Sequence, residues 1–469
     1  MLYQVCTEPS VPKFDSDFIQ LLKDLGPISP VLAALSCWLF SLGAGCTLGF
    51  TAVLLPQIKE DPNFPYNDSY NDSWVASSAC LAMAFGCIIT GVLSDRYGRR
   101  ITQLAVAPLY VVGWIAMAFA TNITLLILGR VVTGMCYGAF RSIGAVYLGE
   151  IANPTNRPLF NFSLTMSVTT GTFFIHILGG YLNWRLACFI VCVPVVLGTG
   201  LQALVKESPL WLIYKGKIAK GTEAFTWFRG NDECSQNELE DVLVKQKNRP
   251  PELTFKEGLN AAFSKSFMKP LATAIVLFKT VQCNGVNTVS FYAQDLLKTT
   301  FSGEQDPFML MLVTDVIRVF GVALLFCFSK YLPRRKSYLI ACGTQVILLI
   351  VLIAYIAFKP SGCVWFAIII FMSYITLGCI LISLCYSFMG EIFPSQLRGL
   401  GSGISASSSF FLLFLVVNLT PKIIMNYGII VLYSINAVIT LFGLGLLYIL
   451  LPVTDGKTLQ EIENNYTKN

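Results

Sequence analysis

Two side-chain amides five residues apart, Gln282 and Asn287, are the groups in this chain best suited to chemistry on a bound molecule. An amide offers donors and an acceptor together, so such a pair fits reversible hydrogen bonding to a solute that carries many hydroxyls. They flank the helix breaker Gly285 in an apolar run, and Tyr292 follows as a candidate outer gate. Polar residues in such a run normally face the interior of a bundle. Asp315 and Arg318 stand three apart, a spacing at which they can pair on a helix and lower the cost of both charges. Arg141, His176 and Lys279 are further polar groups in apolar surroundings, able to line a hydrated cavity, snorkel or balance another charge. Covalent chemistry has no comparable support. The single histidine makes no cluster and is expected to line the bundle rather than relay protons. The 15 cysteines, mostly in apolar runs, lack metal-ligand spacing and read as small packing residues. With no phosphate-cradling loop either, the sequence predicts no enzyme, no metal and no cofactor.

What must position these groups is a bilayer. The 469 residues are 55% hydrophobic and 13% charged, with a mean hydropathy of +0.64, outside the range of soluble domains. The net charge of +6 is spread over loops, so it reads as an orientation signal and implies no nucleic-acid partner. Asp15, Asp17 and Asp24 precede the first apolar run, unlike the basic start of a cleaved signal, so the first span is expected to be retained. Apolar segments of the length a bilayer needs lie at roughly 31–55, 74–93, 101–120, 123–149, 160–181 and 186–205. Six more lie at roughly 271–297, 308–329, 337–358, 363–390, 401–420 and 428–451. The predicted organisation is a tail (1–30), a six-helix bundle (31–205), a linker with short surface helices (206–270), a second six-helix bundle (271–451) and a tail (452–469). Arg96, Arg99, Arg100, Arg157, the linker, Lys330, Arg334, Arg335, Lys336 and Arg398 all fall on one side, which is predicted cytoplasmic together with both termini. The triplets beginning at Asn67 and Asn71 are glycosylation acceptor patterns on the opposite side.

A charged hinge, Gly91 to Arg100, sits between the second and third runs. Gly98 permits its turn, and Asp95 can meet the positive end of the following helix. Its parts recur: Arg99 and Arg100 are echoed by Arg334 and Arg335, and Glu150 with Arg157 by Glu391 with Arg398. Near-equal offsets argue for an internal duplication, hence a cavity between two halves that rock to expose it alternately.

The spacing G-x-x-x-D-R-x-G-R-R in that hinge resembles the loop between the second and third helices of major facilitator superfamily transporters. Gly129-Arg130 with Gly134 and Gly138, Glu150, Glu207-Ser-Pro209, Gln282-x-x-Gly285-x-Asn287, Glu391 with Arg398, and Gly456-Lys457 extend the likeness over almost the whole chain. The chain thus resembles the sugar porters of that superfamily, and is most similar to the insect facilitated trehalose transporter group. The resemblance implies an all-α fold of 12 transmembrane helices and a monomeric plasma-membrane carrier moving trehalose or a hexose down its gradient. It implies a cytoplasmic-side ion-pair set of Asp95, Arg99, Arg130, Glu150 and Arg157, with Arg334, Arg335, Glu391 and Arg398 in the second half. It also adds Thr165, Asn284, Arg318, Tyr386 and Phe410 to Gln282, Asn287 and Tyr292 as solute-contact positions. Gly134 and Gly138 read as close-packing residues.

Several family positions are altered. The fifth-span glutamine falls on Thr165, the first of two seventh-span glutamines on Val281, and the eleventh-span Asn-Trp pair on Ser409 and Phe410. The tenth span loses two helix-bending prolines around Ile382 to Tyr386, and Arg318 replaces a polar group in the eighth. Two other readings therefore stay open: a carrier of a charged or proton-coupled solute, and a sugar sensor that does not transport.

Overall fold

The computed structural model describes residues 28–62, 64, 69–153, 157–247, 264–301, 305–328, 333–358, 364–393 and 398–452. Among them every regular element is helical. A chain in lipid must satisfy its backbone internally, and helices do so within each segment. The first bundle comprises α1 (Ile28–Glu60), α2 (Ser69–Tyr97), α3 (Arg99–Ala118), α4 (Ile123–Ile151), α5 (Arg157–Tyr181) and α6 (Trp184–Leu204). Three short helices follow: α7 (Pro209–Tyr214), α8 (Ile218–Arg229) and α9 (Glu233–Lys247). The second bundle comprises α10 (Lys265–Gln282), α11 (Val286–Thr300), α12 (Pro307–Phe328), α13 (Arg334–Phe358), α14 (Val364–Ile392), α15 (Arg398–Tyr427) and α16 (Ile429–Leu450). Below, the end of the molecule holding Arg96, Arg99 and Arg100 is called the basic end.

Eleven of these helices are long and apolar enough to cross a membrane. The twelfth crossing is divided. Where the sequence predicts one seventh span, α10 stops at Gln282 and α11 starts at Val286, so the two candidate amides sit on different helices. Gly285 between them has φ of +88°, a left-handed conformation that a side chain resists. Several polar groups at the break find partners there. Asn284 Oδ1 accepts from Val286 N at 3.0 Å, Asn284 Nδ2 donates to Gln345 Oε1 at 3.3 Å, and Tyr374 Oη donates to the Asn284 carbonyl at 2.5 Å. α10 also begins at Lys265, ahead of the predicted boundary at 271, with Pro270 inside it.

Within the first bundle α1 runs along α5, α2 along α4, and α3 against α4 and α6. Gly134 and Gly138 bring α4 against α2 so closely that an added Cβ would lie 2.8 Å from Ala79 Cα and 3.0 Å from Cys87 N. In the second bundle α13 packs on α14 and α16, α10 on α15 and α16, and α12 on α14. The halves meet where α2 faces α15, α5 faces α12 and α1 faces α11.

The linker helices close over the basic end. Arg229, buried in α8, donates to the carbonyls of Ile151 at 2.9 Å and Ala152 at 2.6 Å, so it satisfies the last turn of α4, where a cation also suits the helix dipole. Lys206 pairs with Glu223 at 2.6 Å, and its hydrogen bond holds that carboxyl below the usual range. Asn67 lies outside the described residues; Asn71 falls in the first turn of α2, and its side chain is likewise outside them.

Candidate functional site

A cavity of about 50 Å³ lies between the bundles. One water needs roughly 10–15 Å³ measured this way, so it has room for a few waters and none for a sugar ring. Thr165, Gln282, Asn287, Arg318, Tyr386 and Phe410 from the predicted set all line it. Gln282 links two second-bundle elements. Its Nε2 donates to Ser409 Oγ of α15 at 2.6 Å, and its Oε1 accepts from Asn287 Nδ2 at 2.5 Å. The break at Gly285 thus turns two amides into a joined pair at the cavity wall.

Asn284 and Tyr292 are placed elsewhere. Asn284 is fully buried, and its side chain caps α11 and bonds Gln345, so it holds the broken helix rather than the cavity wall. Tyr292 sits at a kink in α11 with its hydroxyl donating to the Val417 carbonyl at 3.2 Å. It lines a small crevice with Thr51, Pro56 and Asp295, toward the end opposite the basic one.

The sequence leaves the role of Arg141 open and expects His176 to line the bundle, and the structure gives both residues named partners. Arg141 of α4 is buried against the cavity, donates to Thr165 Oγ1 at 3.0 Å and lies 4.1 Å from the centre of the Tyr386 ring on α14. His176 of α5 bonds Asp315 of α12 through Nδ1. Asp315 also receives Arg318 at 3.1 Å, and Arg318 reaches Ser290 Oγ at 3.0 Å and Cys379 Sγ at 3.3 Å. This buried chain of three titratable groups crosses from one bundle to the other. The expected Asp315 to Arg318 pair is present; the histidine that completes it comes from 139 residues away.

At the basic end Arg99 holds Asp95 at 2.8 Å and Glu150 at 2.8 Å, joining α2, α3 and α4. The start of α3 is met by Glu207 instead of the expected Asp95: its carboxylate accepts from Arg99 N at 2.8 Å and Arg100 N at 3.0 Å. A carboxylate there satisfies orphan backbone donors and suits the helix dipole. Asp95 is pulled aside by Arg99, while its carbonyl accepts from Trp211 Nε1 at 2.9 Å.

Arg130 does not join this cluster. It lies seven residues from the start of α4 at the far end of the bundle, and it donates to the carbonyls of Val75 at 3.1 Å and Thr47 at 2.8 Å and to Thr51 Oγ1 at 2.8 Å. Its buried charge is met by oxygens of α1 and α2. Arg335 donates to the Tyr448 carbonyl at 2.8 Å, near the end of α16, much as Arg100 donates to Gln202 at 3.1 Å and Ala203 at 2.7 Å near the end of α6. The two echoed arginines therefore do the same work in each half. Arg334 opens α13; the side chains of Arg157, Glu391 and Arg398 lie outside the described residues.

The family described as sugar (and other) transporter matches residues 34–466. The chain belongs to this sugar transporter family. Its relatives include a facilitated trehalose transporter homologue, Tret1-2, of Drosophila sechellia, 27% identical over 446 residues, covering 93% of this chain and 90% of the relative. The facilitated trehalose transporter Tret1 of Bombyx mori is 26% identical over 453 residues, covering 93% and 86%. Among solved structures, the proton:xylose symporter XylE bound to 6-bromo-6-deoxy-D-glucose superposes with a TM-score of 0.80 at 18% identity, covering 93% of this chain and 99% of that one. The inward-open XylE of E. coli gives 0.73 at 18% identity, covering 93% and 98%. The sugar transporter family and the major facilitator fold are thus established together, and the protein is a multi-pass membrane transporter, not an enzyme.

For this transporter, the pieces that sequence reasoning could not place share one property. Each depends on contact between elements far apart in the chain: Arg141 with Tyr386, His176 with Asp315, Glu207 with the start of α3.

Proposed function

We propose that the protein is a facilitative carrier that moves a small sugar, trehalose or a hexose, across the plasma membrane by alternating access, with the basic end and both termini in the cytoplasm. The observation that carries this reading is the cavity wall that bears Gln282, Asn287, Tyr386 and Phe410, with Gln282 braced behind it by Ser409 and by Asn287. Bidentate amides serve sugar hydroxyls and aromatic faces cover the apolar side of a ring. The trehalose-transporter relatives favour the same class of cargo. The carrier is proposed to act as a monomer.

The test is counterflow in liposomes holding the purified protein and preloaded with unlabelled trehalose or glucose. Wild type is expected to accumulate the labelled sugar transiently, and Gln282→Ala to weaken it by about tenfold or more, because it removes one amide from the cavity wall and frees Asn287 and Ser409 from their hydrogen bonds to it. Absence of counterflow with every sugar tried would favour the sensor over the carrier.

One observation favours a second reading, proton coupling. His176 and Asp315 join the two bundles directly, and an imidazole hydrogen-bonded to a carboxylate gives a proton two places to rest between them. The same assay at several pH values decides it. Coupling requires uptake that responds to pH, with the response abolished by His176→Gln; uptake of a neutral sugar that ignores pH removes the reading.

A further inference from the structure

Among the described residues, the charged side chains that line the cavity are Arg141 and Arg318, both cationic. Asp315, the nearby carboxylate, does not line it; it is held between Arg318 and His176. Arg318 therefore has its counter-charge, and Arg141 does not: no carboxylate of the described residues pairs with it. Its known partners are a hydroxyl, Thr165, and a ring, Tyr386. It is only 8% exposed, so its charge is buried at the cavity wall with neutral company. A cation out of water without a counter-ion is costly, and a carrier must close its cavity around cargo, which expels the remaining water.

From this geometry we infer that the preferred cargo is a polyhydroxylated monocarboxylate, a sugar acid, whose carboxylate binds Arg141. This rests on the carrier reading above, keeps its polyhydroxylated class of cargo and replaces the neutral sugar by an anionic one. The rest of the wall suits the remainder of such a molecule: the amides of Gln282 and Asn287 and the hydroxyls of Thr169 and Thr172 meet its hydroxyls, and Phe410 its apolar face. One unpaired guanidinium matches one negative charge. Planar guanidinium and carboxylate also match in shape, which a neutral hexose cannot exploit.

The experiment is equilibrium titration of the purified full-length protein in lipid nanodiscs with D-glucuronate and with D-glucose, which differ at one carbon. Wild type is expected to bind glucuronate at least about tenfold tighter than glucose, the gain of one charge-assisted hydrogen-bonded contact. Arg141→Gln is expected to bring that ratio toward one, and Arg141→Lys to keep a preference for the anion. Glucose binding equal to or tighter than glucuronate in wild type overturns the inference and leaves the sugar-carrier reading standing. Binding of neither overturns the inference, and the trehalose counterflow above then decides the carrier reading on its own. A preference for glucuronate that persists in Arg141→Gln also overturns it, because the anion would then be held elsewhere. Should Arg141→Gln fail to fold, the wild-type ratio and the lysine variant still decide.

Discussion

Arg318 shows how a single buried charge is tolerated here. It is 5% exposed, bonded to Asp315, Ser290 and Cys379, and its carboxylate partner is shared with a histidine of the other bundle. Removing one partner of a buried pair leaves an uncompensated charge and costs about 3–5 kcal/mol. Asp315→Asn is therefore predicted to lower the apparent melting temperature of the purified protein clearly. An unchanged melting temperature would show that Arg318 finds water in place of Asp315. At this scale the sequence was partly readable. The i, i+3 spacing of Asp315 and Arg318 signals their pairing on one helix face, whereas nothing local to His176 reveals a partner in α12. Arg130 misled for the same reason: its charge is legible, but its depth in α4 and its oxygen partners on α1 and α2 follow only from how the helices are assembled.

The broken seventh span is the element on which the amide site depends. Gly285 marks the break in the sequence, but a lone glycine in an apolar run does not by itself separate a kink from a full interruption. The interruption is stable because Gln345 of α13 and Tyr374 of α14 receive the freed polar groups, and those helices lie more than fifty residues further on. Gly285→Ala adds a Cβ at positive φ directly against Tyr374 Oη and Asn436. A left-handed conformation costs a non-glycine residue roughly 1–2 kcal/mol before any clash. The variant is predicted to lose both thermal stability and sugar affinity, since Gln282 and Asn287 would shift relative to each other. Gly200→Ala in α6, where an added Cβ meets nothing within 4 Å, is predicted to leave sugar affinity within error of wild type and, by helix propensity, to raise thermal stability slightly if it changes at all. Equal effects of the two substitutions in a melting and binding comparison would contradict this account of the break. The linker motif Glu207-Ser-Pro209 was recognisable in the chain, yet its task of capping α3 was not, because a cap supplied from over a hundred residues away leaves no local pattern.

For the molecule as a whole, the twelve-span count, the two bundles and the internal echo were legible because hydropathy and loop charge act locally along the chain. The echo has a structural counterpart in Arg100 and Arg335, which bond the ends of α6 and α16. The halves touch around the cavity through Tyr137 and Phe410, Ser77 and Asn418, and His176 and Asp315, and a cavity of about 50 Å³ cannot admit a sugar until some of these contacts part. Rigid rocking of the bundles about that cavity is thus the central claim. Its most direct measurement is a pair of spectroscopic distances across the halves during turnover, using noncanonical amino-acid labels at exposed sites. Tyr97 and Leu400 report the basic end, and Phe119 and Met425 report the opposite end. Saturating sugar is predicted to move the two distances in opposite directions, one lengthening as the other shortens; distances that stay fixed, or that change together, would contradict it.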